Sequence, residues 1–195
     1  MIFLAILCAT YLMGGFPTGL LVGRLFKGVD VRQHGSGNIG ATNVLRVAGK
    51  LPGLLVLLID AAKGWAPVAF FGSLVSPILL AVAAVSGHIW NPFLQLRGGR
   101  GVATGLGALL ALDRRVALAA LSVWLGVMAV TRYVSTASIA AALSAPFLMA
   151  LMGRPVSWVL GAVGISLAII ARHRPNILRL LQGEEHRFGP FSRKK

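Results

Sequence analysis

The chain has 195 residues, 56% of them hydrophobic and 12% charged, with 19 Lys plus Arg against 5 Asp plus Glu and a formal net charge of +14. A soluble domain carries about twice that charged share, and a nucleic-acid reader needs a soluble basic face. Bases set between long apolar runs disfavour both and fit anionic lipid or phosphate-bearing substrates better.

The length suits a single domain spanning 1–195. Cys8 is the only cysteine, so no internal disulfide or cysteine-based zinc site is open to the chain; it lies in an apolar run and reads as packing. Residues 2–23 contain no Lys, Arg, Asp or Glu. No basic segment precedes them, and the run is long for a secretion signal, so it reads as a first membrane span. A spanning helix needs about 20 mostly apolar residues. Stretches 53–72, 74–90, 115–131, 133–153 and 155–171 approach or reach that length, and 102–112 is a shorter run, either a short span or a re-entrant segment.

Counting the short run gives seven crossings. With the N-terminus outside and the C-terminus inside, segments 24–50, 97–100, 132 and 172–195 hold fifteen of the nineteen bases. Arg114, Arg115 and Arg154 fall outside and Lys63 lies within a span. This is the asymmetry of the positive-inside rule. Dropping the short run would put the C-terminal cluster of seven outside, so seven spans are preferred. Pro17, Pro67, Pro77 and Pro146 lie within or beside spans and predict bends. The reading is an all-α integral membrane protein.

Three polar segments fall on the expected inner face. In the first, 34–46, glycines allow backbone N–H groups to converge on an anion; Ser36 and Thr42 add donors, and Arg46 can fork onto two phosphate oxygens. An ordinary turn-rich loop is the alternative. In the second, 97–105, a glycine-rich turn with Arg97 and Arg100 leads into a helix whose N-terminus favours an anion. It lacks the spacing of a P-loop, and snorkelling arginines at a membrane boundary are its plainer explanation. In the third, 172–185, Pro175 suits the first turn of a helix and Gly183 its end, with Ile177, Leu178, Leu180 and Leu181 towards the lipid interface. A basic anchor is the plainer alternative there.

Asp60 and Lys63 sit inside an apolar span, where ionisable groups are costly; their spacing favours a structural pair. His88 reads as a hydrogen-bonded structural histidine, and Ser135 and Ser138 as capping or interhelical groups. No HExxH, GxSxG or metal cluster appears, so neither metal nor organic cofactor is expected.

Taken together, the glycines and Pro at 14–19, the run 36–46, Asp60 with Lys63 and Gly64, Gly87 with His88, the turn 97–104, Arg132, Tyr133, Ser135 and the run 172–179 resemble the bacterial acyl-phosphate-dependent glycerol-3-phosphate acyltransferases, the PlsY family. The resemblance implies seven helices in the bacterial cytoplasmic membrane, a multi-pass chain whose catalytic loops face the cytoplasm. It implies acyl transfer from acyl phosphate to the 1-hydroxyl of glycerol 3-phosphate, giving 1-acylglycerol 3-phosphate and phosphate, without a cofactor or obligate protein partner.

Residue by residue, Ser36 and Arg46 resemble donors to acyl phosphate, and Gly37, Asn38, Gly40, Thr42 and Asn43 the rest of that loop. Arg100 with Gly98, Gly99, Gly101 and Thr104, together with Ser138, His173 and Asn176, resemble the glycerol-3-phosphate side; Arg179 and Glu185 match the third motif. Two departures stand out: arginines at 97 and 100 where the family commonly has lysines, and Gly15 where it commonly has serine. Transporters usually place their sites near the midplane between repeats, and a lipid-binding scaffold would not need the dense Ser/Asn/Thr/Gly loop, so both rank below the acyltransferase.

Overall fold

The computed structural model describes residues 1–189, and within them each apolar stretch is helical and no strand occurs. Arg193, Lys194 and Lys195, part of the C-terminal basic cluster, lie outside the described residues. The chain divides into two compact units, one from Met1 to Arg114 and one beginning at Arg115.

The first unit opens with α1 (Ile2–Gly15) and α2 (Thr18–Lys27), two helices where the sequence suggests one span. The cause is Pro17, which has no N–H to continue the ladder. The Phe16 carbonyl instead accepts Thr18 N at 2.8 Å and Lys63 Nζ at 2.8 Å. After α2, whose end is capped by Gly28 at φ 65°, come a short 3-10 turn (Val31–Gln33) and α3 (Ala41–Ala48). Then follow α4 (Lys50–Phe71), α5 (Pro77–Ile89), a second 3-10 turn (Pro92–Leu94) and α6 (Val102–Leu112). Pro77 starts α5 rather than bending it, while α4 continues through Pro67.

Packing here depends on glycines that admit another backbone, as membrane helices do when they approach closely. A Cβ at Gly64 would stand 1.9 Å from Thr104 O, and one at Gly107 would stand 1.8 Å from Ala61 O, so α4 and α6 touch main chain to main chain. Gly14 and Gly87 do the same for α1 and α5. Val22, Val31, Ile39, Val44, Ala48 and Val56 form an apolar cluster that joins α2, α3 and α4 beneath the 31–40 loop.

The second unit contains α7 (Arg114–Thr131, its first residue at the boundary), α8 (Val134–Leu151), α9 (Val156–Arg172) and α10 (Arg174–Leu181). α8 continues through Pro146. The proline ring frees the carbonyl four residues earlier, Ala142 O, and Ser166 Oγ on α9 donates to it at 2.5 Å. Between α9 and α10 the axis turns by 54° at His173, and Pro175 lies in the first turn of α10 as its sequence position suggests.

Five segments are long and apolar enough to cross a membrane: Ile2–Lys27, Lys50–Phe71, Pro77–Leu94, Arg114–Thr131 and Val134–Leu151. The bent pair α9–α10 qualifies as a sixth, and α6 is a shorter apolar helix. Leucine and phenylalanine side chains such as Leu58, Phe70, Leu125, Phe147 and Leu160 are exposed along these helices, as a lipid-facing surface requires.

Candidate functional site

The loop after α2 is built around Asn43. Its Nδ2 donates to the carbonyls of Val31, His34 and Asn38 at 2.9, 3.1 and 2.8 Å, and its Oδ1 accepts Ser36 N at 2.8 Å. Asn43 is buried, and a Cβ at Gly35 (φ +61°) would meet its Oδ1 at 2.4 Å, so glycine is required there. Asn43 therefore shapes the loop from within instead of facing out of it. Ser36, Asn38, Gly40 and Thr42 are half-buried around it, and Gly37 (φ +70°) and Arg46 are exposed. Gly40 precedes the first turn of α3, whose leading N–H groups have no intrahelical acceptor. At the loop entrance Asp30 caps the 3-10 turn through Arg32 N and takes a two-pronged bond from the Arg32 guanidinium. These bonds hold the Asp30 carboxyl down to about 2.

The second segment is hung on the end of α5. Gly98 N donates to Ile89 O at 3.0 Å and Gly99 N to His88 O at 3.1 Å. Both N–H groups are committed to α5, while the helix N-terminus that the sequence suggests for an anion is that of α6, just beyond Gly101 (φ +81°). Arg100 is half-buried between the two buried glycines 99 and 101. Thr104 is buried and its Oγ1 has no hydrogen-bond partner. Its carbonyl abuts Gly64, about 21 Å along α4 from Lys50 at 1.5 Å per residue. The start of α6 thus lies beside the latter half of α4, well away from Lys50.

Below the turn, Lys63 Nζ lies 2.7 Å from Asp60 Oδ1 and His88 Nδ1 lies 4.0 Å from the same oxygen, all three side chains buried. The pairing suggested by the Asp60–Lys63 spacing is present. The family's serine position, Gly15, faces Pro92, whose Cδ would be 2.6 Å from a Cβ, so this chain has no room for a side chain there. Asn91, which the sequence reading passed over, donates to Gly15 O and caps the second 3-10 turn through Phe93 N at 2.9 Å. An Asn directly before Pro at a turn is its sequence signal.

In the second unit Glu185 organises the polar cluster. It accepts Ser135 Oγ at 2.8 Å and Asn176 Nδ2 at 2.7 Å on Oε1, and Arg179 Nε at 2.8 Å on Oε2. Burial raises its pKa, but the bonds from Asn176, Arg179 and Ser135 and the charge of Arg179 outweigh that and hold the carboxyl below its ordinary value. Asn176 is buried, and its Oδ1 has no hydrogen-bond partner. His173, buried at the bend, donates from Nδ1 to Ile169 O at 2.8 Å, which assigns the ring proton to Nδ1. Ser138 bonds back to Val134 O at 2.7 Å and accepts Trp124 Nε1 at 3.2 Å, the interhelical role its position suggests. Ser135, read like Ser138 as a capping or interhelical group, donates to Glu185. Beyond Glu185, Arg187 Nε donates to Tyr133 OH at 3.0 Å and Phe188 N to Arg132 O at 2.8 Å, fastening the segment to the start of α8.

The first unit thus carries glycine-rich turns with arginines beside them, and the second a buried cluster of polar side chains with arginines at the α9–α10 bend, a chemistry suited to phosphate groups. Comparison with known proteins agrees. The family model for glycerol-3-phosphate acyltransferase matches residues 4–183. A glycerol-3-phosphate acyltransferase of Synechococcus sp. (strain JA-3-3Ab) is 52% identical over 92% of this chain and 90% of its own length. Glycerol-3-phosphate acyltransferase 2 of Moorella thermoacetica is 47% identical over 95% and 97%. The crystal structure of PlsY, an integral membrane glycerol 3-phosphate acyltransferase, in its glycerol 3-phosphate form superposes with a TM-score of 0.93 at 42% identity, covering 97% of this chain and 96% of that one. Its lysophosphatidic acid form gives 0.91 at 41% identity. The chain belongs to the glycerol-3-phosphate acyltransferase family, within its PlsY branch, and is a multi-pass membrane acyltransferase.

Proposed function

We propose that the protein transfers a fatty acyl group from acyl phosphate to the 1-hydroxyl of sn-glycerol 3-phosphate, releasing 1-acylglycerol 3-phosphate and inorganic phosphate, the first acylation of phospholipid synthesis. The observation that carries this is the Ser36–Arg46 loop held open around Asn43, on a chain 42% identical to an acyltransferase solved in its glycerol 3-phosphate form.

In this reading Ser36 and Arg46 bind the acyl-phosphate group, with Gly37, Asn38, Gly40 and Thr42 shaping the cradle and Asn43 positioning it. Arg100 and Thr104 are assigned to glycerol 3-phosphate, with Gly98, Gly99 and Gly101 shaping their turn; Ser138, His173 and Asn176 are assigned to the same substrate, and Arg179 and Glu185 keep Asn176 in place. The hydroxyl oxygen attacks the acyl carbon, the bond from that carbon to the phosphate oxygen breaks, and phosphate leaves. Two anionic substrates must be brought together, so neutralising and orienting them is the main task of the arginines and N–H groups. Phosphate is a good leaving group, and one of its oxygens can take the hydroxyl proton, so no side chain need be a strong general base. A pH–rate limb in the wild type that vanishes in His173→Ala would contradict that proton route.

The same reading has seven crossings, with α6 as the short fourth and α9 the last, the N-terminus outside, the C-terminus inside, and the reaction at the cytoplasmic face of the bacterial inner membrane. Starting α6 beside the latter half of α4, well away from Lys50, suits a reaction in which one substrate comes from lipid and the other from water. The donor is tested by presenting palmitoyl phosphate, palmitoyl-CoA and palmitoyl-acyl carrier protein separately. Turnover with the first alone is expected; equal turnover with a thioester would overturn the donor assignment.

A further inference from the structure

Asp60 is one of only five acids in the chain, and it is buried inside a span beside Lys63 and His88. Buried charge in a membrane is costly and persists where it does something. Its two neighbours lead in two directions. Lys63 Nζ reaches the Phe16 carbonyl at the α1–α2 joint, from which α2 runs to place Gly19 against Ile39 O at the base of the Ser36 loop. His88 reaches the other way. Its Nδ1 faces Asp60, and its Nε2 presses on the turn, where a Cβ at Gly99 would stand 2.2 Å away. The His88 and Ile89 carbonyls hold Gly99 N and Gly98 N, so the imidazole forms the floor beneath the residue preceding Arg100.

We propose that His88, braced by the Asp60–Lys63 pair, is a positioning residue for Arg100 and sets the height at which its guanidinium meets the phosphate of glycerol 3-phosphate. The proposal rests on the assignment of Arg100 to that substrate. His88 touches no substrate. Its ring supplies all three of the atoms that a Cβ at Gly99 would meet first, so the turn rests on the ring at that residue. Misplacement by about 1 Å is enough to lose up to a hundredfold in rate.

Two replacements separate the ends of the ring. His88→Gln keeps a polar atom where Nε2 supports Gly99; His88→Asn keeps one where Nδ1 faces Asp60 but leaves the floor empty. The experiment measures kcat and the KM of each substrate for the full-length protein in lipid nanodiscs, with unfolding temperatures alongside. His88→Asn is expected to raise the KM for glycerol 3-phosphate roughly tenfold, with the KM for palmitoyl phosphate changing less than about twofold and His88→Gln restoring most of the loss. In an Arg100→Ala background the His88→Asn effect on that KM should vanish, because a residue acting only through Arg100 has nothing left to position. Equal loss for both substrates, full additivity with Arg100→Ala, or better rescue by Asn than by Gln would overturn the proposal. If His88→Asn does not fold, Gly99→Ala pushes the same contact from the other side and must give the same KM signature. An Arg100→Ala protein with unchanged KM for glycerol 3-phosphate would instead overturn the assignment of Arg100 itself.

Discussion

Asn176 and Glu185, nine residues apart, are joined by a 2.7 Å hydrogen bond from Nδ2 to Oε1, which fixes the amide so that its buried Oδ1 faces away from the carboxylate. Glu185 is therefore the residue that orients Asn176, while Arg179 and Ser135 hold Glu185. Glu185→Ala is expected to lower the unfolding temperature and to reduce turnover at least about tenfold, since three donors lose their acceptor at once. Unchanged turnover and melting in that variant would remove Glu185 from this role.

Acid should act on the same cluster. The Glu185 carboxyl titrates below its ordinary 4.5, so its folded form is favoured while it is charged. That contribution is complete above pH 4.5 and is lost as pH falls through the lowered value. Asp30, held down to about 2 by Arg32, adds a second contribution, complete above its ordinary 3.8 and lost on approach to 2. Melting temperature measured from pH 7 downwards should therefore fall below about pH 4.5, and Glu185→Gln should flatten the upper part of that fall.

Asn43→Ala should empty the loop proposed to hold acyl phosphate of its organiser. Four main-chain groups lose their partner, each costing about 1–3 kcal/mol where burial is complete. Turnover should drop at least about a hundredfold. Asn43→Asp should fare little better, because a carboxylate cannot donate to the three carbonyls of Val31, His34 and Asn38.

The glycines divide sharply. Gly64→Ala and Gly107→Ala drive a Cβ into backbone carbonyls and should cost about 1–3 kcal/mol or prevent folding. Gly126→Ala and Gly164→Ala meet nothing within 4 Å and should be neutral or slightly stabilising, helix propensity favouring alanine by up to about 1 kcal/mol. Ser166→Ala leaves the carbonyl freed by Pro146 without its donor and should cost about 1 kcal/mol. Thermal unfolding in one detergent ranks all five.

The helices were legible because a membrane leaves the backbone no alternative to satisfying itself, and the apolar runs are bounded by charge or glycine. The Asp60–Lys63 pair followed from spacing alone. The break at Phe16 was legible only as a proline within a run, since a single proline can end a helix, as Pro17 does, or be absorbed by one, as Pro146 is when a hydroxyl from α9 takes up the freed carbonyl. The polar segments were legible as segments but not in their division of labour. Asn43 and Thr42 look equivalent in sequence; burial makes one of them the loop's internal scaffold. Gly98 and Gly99 read as part of the substrate turn, and the commitment of their N–H groups to the α5 carbonyls depends on a chain reversal that no local pattern encodes.

The most direct test of the acyltransferase account is the release of inorganic phosphate by purified protein in lipid, given palmitoyl phosphate with and without glycerol 3-phosphate. Release that requires both substrates, equals the lysophosphatidate formed and disappears in Ser36→Ala and Arg46→Ala proteins that still melt normally is the result predicted. Release without glycerol 3-phosphate, or full turnover in both loop variants, would contradict it.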